Sequence, residues 1–250
     1  MKRVGVIVAL MVWVVVGFFV AEFAVSFAAI GLEKIGVPLA DVDSTTLEAA
    51  LAAVIYIVTL VLVIGVPWWV FHRRTSRREL GLMRLMSWKD IALACGGVVI
   101  YLILSGTFSA LAGHIPGFPS SQAQDVGFGH MVKQYEYALA FLTLVVVAPL
   151  AEETLFRGYL YGKIRKRAPF WVTLLLVSVV FASLHLPGVD SAGHFQWQWN
   201  VALDVFALSL VLASLREVTE NIWAGVLVHM IKNGIAFYVL FIIPILSTLK

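Results

Sequence analysis

The first apolar stretch of the chain, residues 4–32, reads VGVIVALMVWVVVGFFVAEFAVSFAAIGL and contains Glu22 as its one charged residue. A helix that crosses the hydrocarbon core of a bilayer, about 30 Å thick, needs roughly 20 apolar residues. The hydrophobic segment of a cleaved signal peptide is shorter, roughly 7–15 residues. The sequence therefore predicts a first transmembrane helix that is retained in the mature protein.

The remainder of the chain has the same apolar character. Hydrophobic residues make up 61% of the 250 residues and charged residues 13%, about half the charged share of a soluble domain. This composition excludes a water-soluble globular protein, and the net charge of +3 gives no indication of nucleic-acid binding. Six further apolar runs follow the first, at residues 47–71, 91–113, 138–161, 169–186, 199–215 and 222–249.

The last of these runs leaves the number of helices open. It carries Lys232-Asn233-Gly234 near its middle and Pro244 beyond, so it can form one kinked helix or two short ones. The sequence therefore predicts an all-α fold, a polytopic bundle of seven or eight transmembrane helices. We expect residues 1–250 to form a single integral membrane domain, with the functional helices within residues 138–249.

The segments between the runs alternate in their content of lysine and arginine. Basic residues are concentrated before the first run, in residues 72–90, in residues 162–168 and at Arg216, whereas the other connecting segments have one lysine or none. Because basic loops stay in the cytoplasm, we expect a protein of the cell membrane with a cytoplasmic N-terminus. Residues 80–90, in which Arg84 and Lys89 alternate with leucine and methionine, are predicted to form a short amphipathic helix on the membrane surface.

The fourth run contains ionisable residues, which are costly in lipid and therefore indicate function. Residues 149–158 read PLAEETLFRG. Glu153 and Arg157 are four residues apart and can pair on one helix face. Glu152 lies about 100° around the helix and has no such partner. We expect a structural Glu153–Arg157 pair and a Glu152 carboxylate that is free for chemistry, while the role of Asp204 in the sixth run stays open.

Two other runs carry polar residues at the same four-residue spacing. Phe181 and His185 lie in the fifth run, and His229 and Asn233 lie in the last. Taken singly, such residues also serve packing or hydrogen bonds between helices. At a rise of 1.5 Å per residue, His229 and Asn233 lie at depths similar to that of Glu152, and a tilted fifth helix would bring His185 level with them. The three helices can therefore converge on one buried polar pocket.

In these motifs the sequence resembles the CPBP family of CAAX-processing and bacteriocin-processing intramembrane proteases, also called the Abi family. The family's Glu-Glu-x-x-x-Arg, Phe-x-x-x-His and His-x-x-x-Asn motifs occur here in order, without a departure, within residues 152–233. Each motif alone is weak, but three of them inside apolar helices are specific. The resemblance implies peptide-bond hydrolysis within the membrane, with Glu152, His185, His229 and Asn233 as catalytic residues and Glu153, Arg157 and Phe181 as supporting residues.

The implied hydrolysis requires a base that activates water and donors that face the developing oxyanion. Glu152 together with His185 suits the first task, and His229 with Asn233 suits the second. A zinc-dependent form of the same protease would use Glu152, His185 and His229 as ligands, with one position open. Asparagine is a poor zinc ligand and the chain lacks a His-Glu-x-x-His helix. We therefore favour catalysis without a cofactor and keep zinc as the alternative.

The expected partners are membrane lipid and a membrane-associated or lipidated peptide or protein, and no nucleic acid. A proton-coupled transporter is a second function, because buried glutamate, histidine and Lys232 also suit a proton relay. Transporters usually contain inverted repeats and broken helices, and the sequence has neither. A third function is that of an inactive immunity or scaffold factor, against which the intact catalytic positions argue.

Overall fold

The computed structural model describes residues 2–119, 127–128, 131–189 and 194–248. These residues form eight helices and one two-stranded antiparallel sheet, so the predicted all-α fold is confirmed. The helices are α1 (Lys2–Lys34), α2 (Ser44–Trp69), α3 (Arg77–Leu80), α4 (Trp88–Ala112), α5 (Gln134–Arg165), α6 (Phe170–Leu184), α7 (Trp199–Thr219) and α8 (Trp223–Ser247). A 3₁₀ turn at Leu39–Asp41 precedes α2, and strands β1 (Pro187–Val189) and β2 (Phe195–Trp197) lie between α6 and α7.

Five of the described helices, α1, α2, α4, α5 and α8, are long and apolar enough to cross a bilayer. Helix α6 is apolar but has 15 residues, and α7 has 21 residues but carries Asp204, Arg216 and Glu217. Helix α8 continues past Lys232 as a π-helical segment at Tyr238–Ile242 without a break. The seven apolar runs therefore form seven helices, and the chain is an integral membrane protein.

Helix α5 lies at the centre of the bundle and contacts α2, α6, α7 and α8. Two π-helical segments, Leu142–Val147 and Thr154–Leu160, interrupt its regular α-helical hydrogen bonding. Such segments occur frequently at functional sites. Around α5, the largest apolar cluster joins side chains of α5, α6 and α7, among them Phe156, Leu160, Val177, Phe181 and Val205. The polar residues of α5 are therefore surrounded by protein.

The predicted amphipathic helix over residues 80–90 is wrong. A helix forms earlier, at α3, because the Ser76 hydroxyl accepts from the Glu79 N–H (3.2 Å) and the Glu79 carboxylate accepts from the Ser76 N–H (2.7 Å). Gly81 ends this helix in the left-handed region, with φ of 67°, a conformation that glycine adopts without strain. The next helix begins only at Trp88. The basic segment is therefore a capped turn followed by irregular backbone.

Helix α3 is held to the end of α5 by ion pairs. Glu79 Oε1 lies 3.1 Å from Lys163 Nζ and 2.8 Å from Lys166 Nζ. Burial raises the pKa of the Glu79 carboxyl, but hydrogen bonds from Lys166, the Ser76 N–H and Lys163 outweigh it and lower the pKa to about 2. The carboxylate of α3 is therefore charged at neutral pH and attracts the basic end of α5.

Two further contacts bring α3 against α5 and α7. A Cβ atom on Gly162 would lie 2.2 Å from the Glu79 carbonyl oxygen, so the close approach of α3 to α5 requires glycine at this position. Arg216 of α7 donates to the carbonyl oxygens of Arg78 (3.0 Å) and Glu79 (3.2 Å). The basic segments around α3, the end of α5 and Arg216 consequently gather at one end of the bundle.

Candidate active site

A cavity of about 300 Å³ lies between α1, α2, α5, α6, α7 and α8. The four side chains expected to be catalytic all line it, although they come from three different parts of the chain. They are Glu152 of α5, His185 at the end of α6, and His229 and Asn233 of α8. Apolar side chains such as Phe156 and Leu208 form much of the remaining wall. The arrangement is a small polar site inside an apolar helix bundle.

Glu152 faces this cavity with a carboxylate that is only partly held. Its side chain is 14% exposed, and Tyr56 of α2 donates a hydrogen bond of 2.7 Å to its Oε1. Its Oε2 lies 3.8 Å from His229 Nε2, which is longer than a hydrogen bond. One oxygen is therefore oriented by Tyr56 and the other is available. Tyr56 was missed by sequence reasoning, because a tyrosine in an apolar run gives no distinct signal.

Glu153 and Arg157 form the ion pair that their spacing predicts. Arg157 Nη1 lies 2.8 Å from Glu153 Oε1, and both side chains are fully buried. Arg157 Nη2 also donates to the Ser209 hydroxyl of α7 (2.7 Å). His229 Nδ1 lies 3.1 Å from the same Glu153 oxygen. Since a carboxylate only accepts, His229 Nδ1 is the donor, and the pair connects α5 to α7 and α8.

Phe181 packs between the charged pair and the histidines. Its ring centroid lies 4.4 Å from Arg157 Cζ, within the range of a cation–π contact. The centroid lies 4.8 Å from that of the His185 ring and 6.0 Å from that of the His229 ring. Phe181 is fully buried. It therefore fixes the positions of Arg157 and both imidazole rings at once.

His185 is oriented by the end of its own helix. Its Nδ1 lies 2.9 Å from the carbonyl oxygen of Phe181. Because a carbonyl only accepts, this contact assigns the proton of the neutral ring to Nδ1 and leaves Nε2 as an acceptor. Among the histidines of the described residues, His229 lies nearest to Glu152, at 3.8 Å. The two residues expected to activate water together, Glu152 and His185, share no direct hydrogen bond among the described residues.

Asn233 is held by an irregular part of α5. Its Nδ2 donates to the Leu144 carbonyl oxygen (2.9 Å), which belongs to the π-helical segment Leu142–Val147. A primary amide has two N–H groups, so a second N–H remains for another acceptor. The sequence contains no signal for Leu144, because its contribution comes from the backbone.

Asp204, whose role the sequence leaves open, lies beside the site rather than in it. Its Oδ1 accepts from Tyr101 (2.8 Å) and from the hydroxyl of Ser105. Lys232 Nζ lies 3.7 Å from its Oδ2. Lys232 itself lines the cavity that contains Glu152. A second charged pair therefore borders the candidate active site.

The alternative zinc ligands do not form a metal-binding group. Among the described residues, no three histidine, cysteine, aspartate or glutamate side chains are placed to hold a metal ion. Glu152, His185 and His229 nevertheless line one cavity.

Comparison with known families supports the interpretation drawn from the three motifs. A family model described as type II CAAX prenyl endopeptidase Rce1-like matches residues 134–235. The matched range contains all three motifs. The match covers 102 of the 250 residues and agrees with the family and the class of enzyme, a protease, that the motifs predict.

Similarity to curated proteins is more distant. The chain is 33% identical to an uncharacterized 24.3 kDa protein of Escherichia coli over 95 residues. This aligned region is 37% of this chain and 40% of that protein. It is 25% identical over 177 residues to UPF0177 protein YxdF of Lactococcus lactis, 70% of this chain and 87% of that protein. It is 26% identical over 160 residues to ammonium transporter Amt2 of Haloferax mediterranei, 60% of this chain and 35% of that protein. No solved structure matches significantly.

Proposed function

We propose that this chain, which belongs through residues 134–235 to the Rce1-like family of type II CAAX prenyl endopeptidases, is an intramembrane endopeptidase. Its substrate is a membrane-associated or lipidated peptide or protein. The observation that carries this proposal is the single cavity lined by Glu152, His185, His229 and Asn233. One carboxylate, two imidazoles and an amide in an apolar surrounding suit hydrolysis by activated water.

In this mechanism Glu152 is the general base. Its carboxylate takes a proton from water, and the hydroxide attacks the carbonyl carbon of the scissile peptide. The same proton then passes to the leaving nitrogen as the C–N bond breaks. Tyr56 orients the carboxylate through its hydrogen bond. His185 assists by accepting a hydrogen bond from the attacking water at Nε2, since its Nδ1 is occupied by the Phe181 carbonyl.

His229 and Asn233 stabilise the oxyanion of the tetrahedral intermediate. Glu153 holds His229 at Nδ1, which leaves Nε2 to donate when the ring carries both protons. Asn233 donates its second N–H, because its first is bound to the Leu144 carbonyl. Fixed donors in a site that excludes water stabilise developing charge with little reorganisation.

The proposal extends to the arrangement of the whole chain. We place residues 1–250 in one integral membrane domain of the cell membrane, with the N-terminus in the cytoplasm. The contacts of α3 with Lys163, Lys166 and Arg216 support this orientation, because they gather the basic segments at one end of the bundle, as expected for a cytoplasmic face.

The test is cleavage of a farnesylated CAAX peptide by purified protein in phosphatidylcholine vesicles, in the presence of a strong chelator. We expect cleavage that resists the chelator. Asn233→Ala should lower kcat by about 10²–10³-fold, the scale for loss of one oxyanion donor. Ser247→Ala, at the exposed end of α8, is the control and should leave the rate unchanged.

Two results would contradict the proposal at different levels. Loss of cleavage with the chelator and recovery with zinc would retain the protease and replace the metal-free mechanism. Absence of cleavage under all conditions, together with a pH-dependent solute flux into the vesicles, would favour the transporter.

A further inference from the structure

Lys232 is a cation that the mechanism does not use, although it lies between His229 and Asn233 in the sequence. It lines the cavity of the candidate active site and also a neighbouring cavity of about 350 Å³ between α4, α7 and α8. Ala236 and Leu240 line both cavities as well. Together with Lys232 they form a row, spaced by four residues on one face of α8, and this row is the wall between the two cavities.

The ammonium group of Lys232 has N–H donors available for a further hydrogen bond. Its side chain is 15% exposed, and Asp204 Oδ2 lies 3.7 Å away. Among the described residues, Lys232 Nζ has no hydrogen-bond partner. Asp204, in contrast, already accepts hydrogen bonds from Tyr101 and Ser105. An ammonium group has three N–H donors, and groups of this kind are normally satisfied when they are removed from water. Lys232 is therefore suited to receive an anionic group in the cavity.

Resting on the proposed function, we propose that Lys232 binds the C-terminal carboxylate of the peptide substrate. A CAAX sequence is the C-terminus of its protein, so the fragment released by cleavage ends in a free carboxylate. The three residues that follow the cysteine of a CAAX sequence reach about 10 Å when extended, and Glu152 and Lys232 both line the one cavity. A carboxylate taken out of water needs a cation as its partner. Asp204 then holds the ammonium in place when no substrate is bound.

The experiment compares two farnesylated CAAX peptides that differ only at the C-terminus, one a free acid and one an amide. Wild-type protein in phosphatidylcholine vesicles should cleave the acid with a kcat/KM roughly 10- to 100-fold higher, the scale of a hydrogen bond between charged groups. The difference should lie mainly in KM, because the charge is present before and during the reaction. Lys232→Met should reduce the ratio to about one, whereas Lys232→Arg should keep most of it, since the charge is retained.

The matched control is Lys34→Met at the end of α1, which should keep the wild-type ratio. Continued cleavage of the amide by Lys232→Met shows that this variant is folded. Equal wild-type rates on acid and amide overturn the inference, and so does an equal loss on both peptides in Lys232→Met.

The phosphate group of an anionic lipid is an alternative ligand of the Lys232 ammonium group. In that case the effect of Lys232→Met would follow the fraction of phosphatidylglycerol in the vesicle and not the peptide terminus, which also overturns the inference. Failure of wild type to cleave either peptide instead contradicts the proposed function and the inference with it.

Discussion

Helices α1 and α5 provide candidate membrane-spanning segments of equal length, but the surroundings of the two segments differ. Each contributes a candidate span of 32 residues, but the mean hydropathy is 2.9 for α1 and 1.8 for α5. In the most apolar part of each helix, 22% of α1 and 50% of α5 is buried inside the protein. Helix α5 can carry Glu152, Glu153 and Arg157 in its interior because protein groups, and not lipid, surround them.

This difference predicts which helix tolerates substitution. Side chains of α1 that face outward have lipid as their neighbour, and lipid adapts to a change in shape. Side chains of α5 and of its neighbour α6 contact fixed partners at short distances, so a change leaves a charge unpaired or a cavity unfilled. Paired substitutions, one in each surrounding, test the comparison.

The largest effect is expected from breaking the buried ion pair. Arg157→Met should destabilise the protein by about 3–5 kcal/mol, because Glu153 would remain buried without its guanidinium partner. The exposed Arg167→Met, in the segment after α5, should change stability by less than about 0.5 kcal/mol. Thermal unfolding in detergent micelles measures both. Equal unfolding temperatures would show that the pair does not stabilise the bundle.

Glu153→Ala should also lower stability, while Glu152→Ala should leave the protein folded.

A second comparison uses phenylalanines in the two surroundings. Phe181 is fully buried against Arg157 and both histidines, and Phe181→Ala should cost about 3–5 kcal/mol through the cavity it leaves. Phe27 of α1 is 70% exposed, and Phe27→Ala should have a much smaller effect. Unfolding of the two variants by denaturant in the same micelles gives the difference. Similar losses would mean that lipid-facing and inner positions of the bundle are packed alike.

Glycines provide a third comparison, with a smaller effect. Gly162→Ala places a Cβ 2.2 Å from the Glu79 carbonyl oxygen and should cost about 1–3 kcal/mol, as overpacking does. A Cβ on Gly31 of α1 meets no atom of the described residues within 4 Å, so Gly31→Ala should be neutral or slightly stabilising in a helix. Thermal unfolding distinguishes them. If Gly162→Ala is also neutral, α3 is not held closely to α5.

The smallest effect concerns pH at the same contact. The pKa of Glu79 falls from its ordinary value of 4.5 to about 2, so the folded protein binds this proton less readily than the unfolded chain. The stabilisation is complete above pH 4.5 and is lost as the pH falls towards 2. Because Lys166 is 59% exposed, screening should reduce it to on the order of 1 kcal/mol. Glu79→Gln should remove this part of the pH dependence, and an unchanged profile would exclude the contribution.

Much of the fold follows from sequence because the bilayer imposes a length on apolar helices. Each of the seven apolar runs corresponds to a helix, and the Glu153–Arg157 pair follows from a spacing of four. The helix expected over residues 80–90 did not form, since two local signals, the Ser76 cap and Gly81, set its position. Such a short helix depends on hydrogen bonds at its ends more than on apolar periodicity.

The candidate site is predictable only in part. The motifs identify residues that recur at helical spacing within one run, and the cavity gathers them. Tyr56 and Ser209 come from other helices, and the Leu144 carbonyl comes from the backbone of a π-helical segment. Their contributions depend on how helices pack against one another, and no local pattern in the sequence records that packing. The contact of Glu152 with His229 was missed for the same reason.

The central claim is that Glu152 of α5 is a chemical group and not a structural one. Its most direct test is the rate of cleavage of the farnesylated CAAX peptide by Glu152→Gln, measured together with thermal unfolding of the same preparation. Glu22→Gln, at the exposed glutamate of α1, is the matched control. We expect Glu152→Gln to unfold at nearly the wild-type temperature and to lose at least about 10²–10⁴-fold in kcat, the range for a general base, while Glu22→Gln retains full activity. A folded Glu152→Gln protein that cleaves at the wild-type rate would contradict the account.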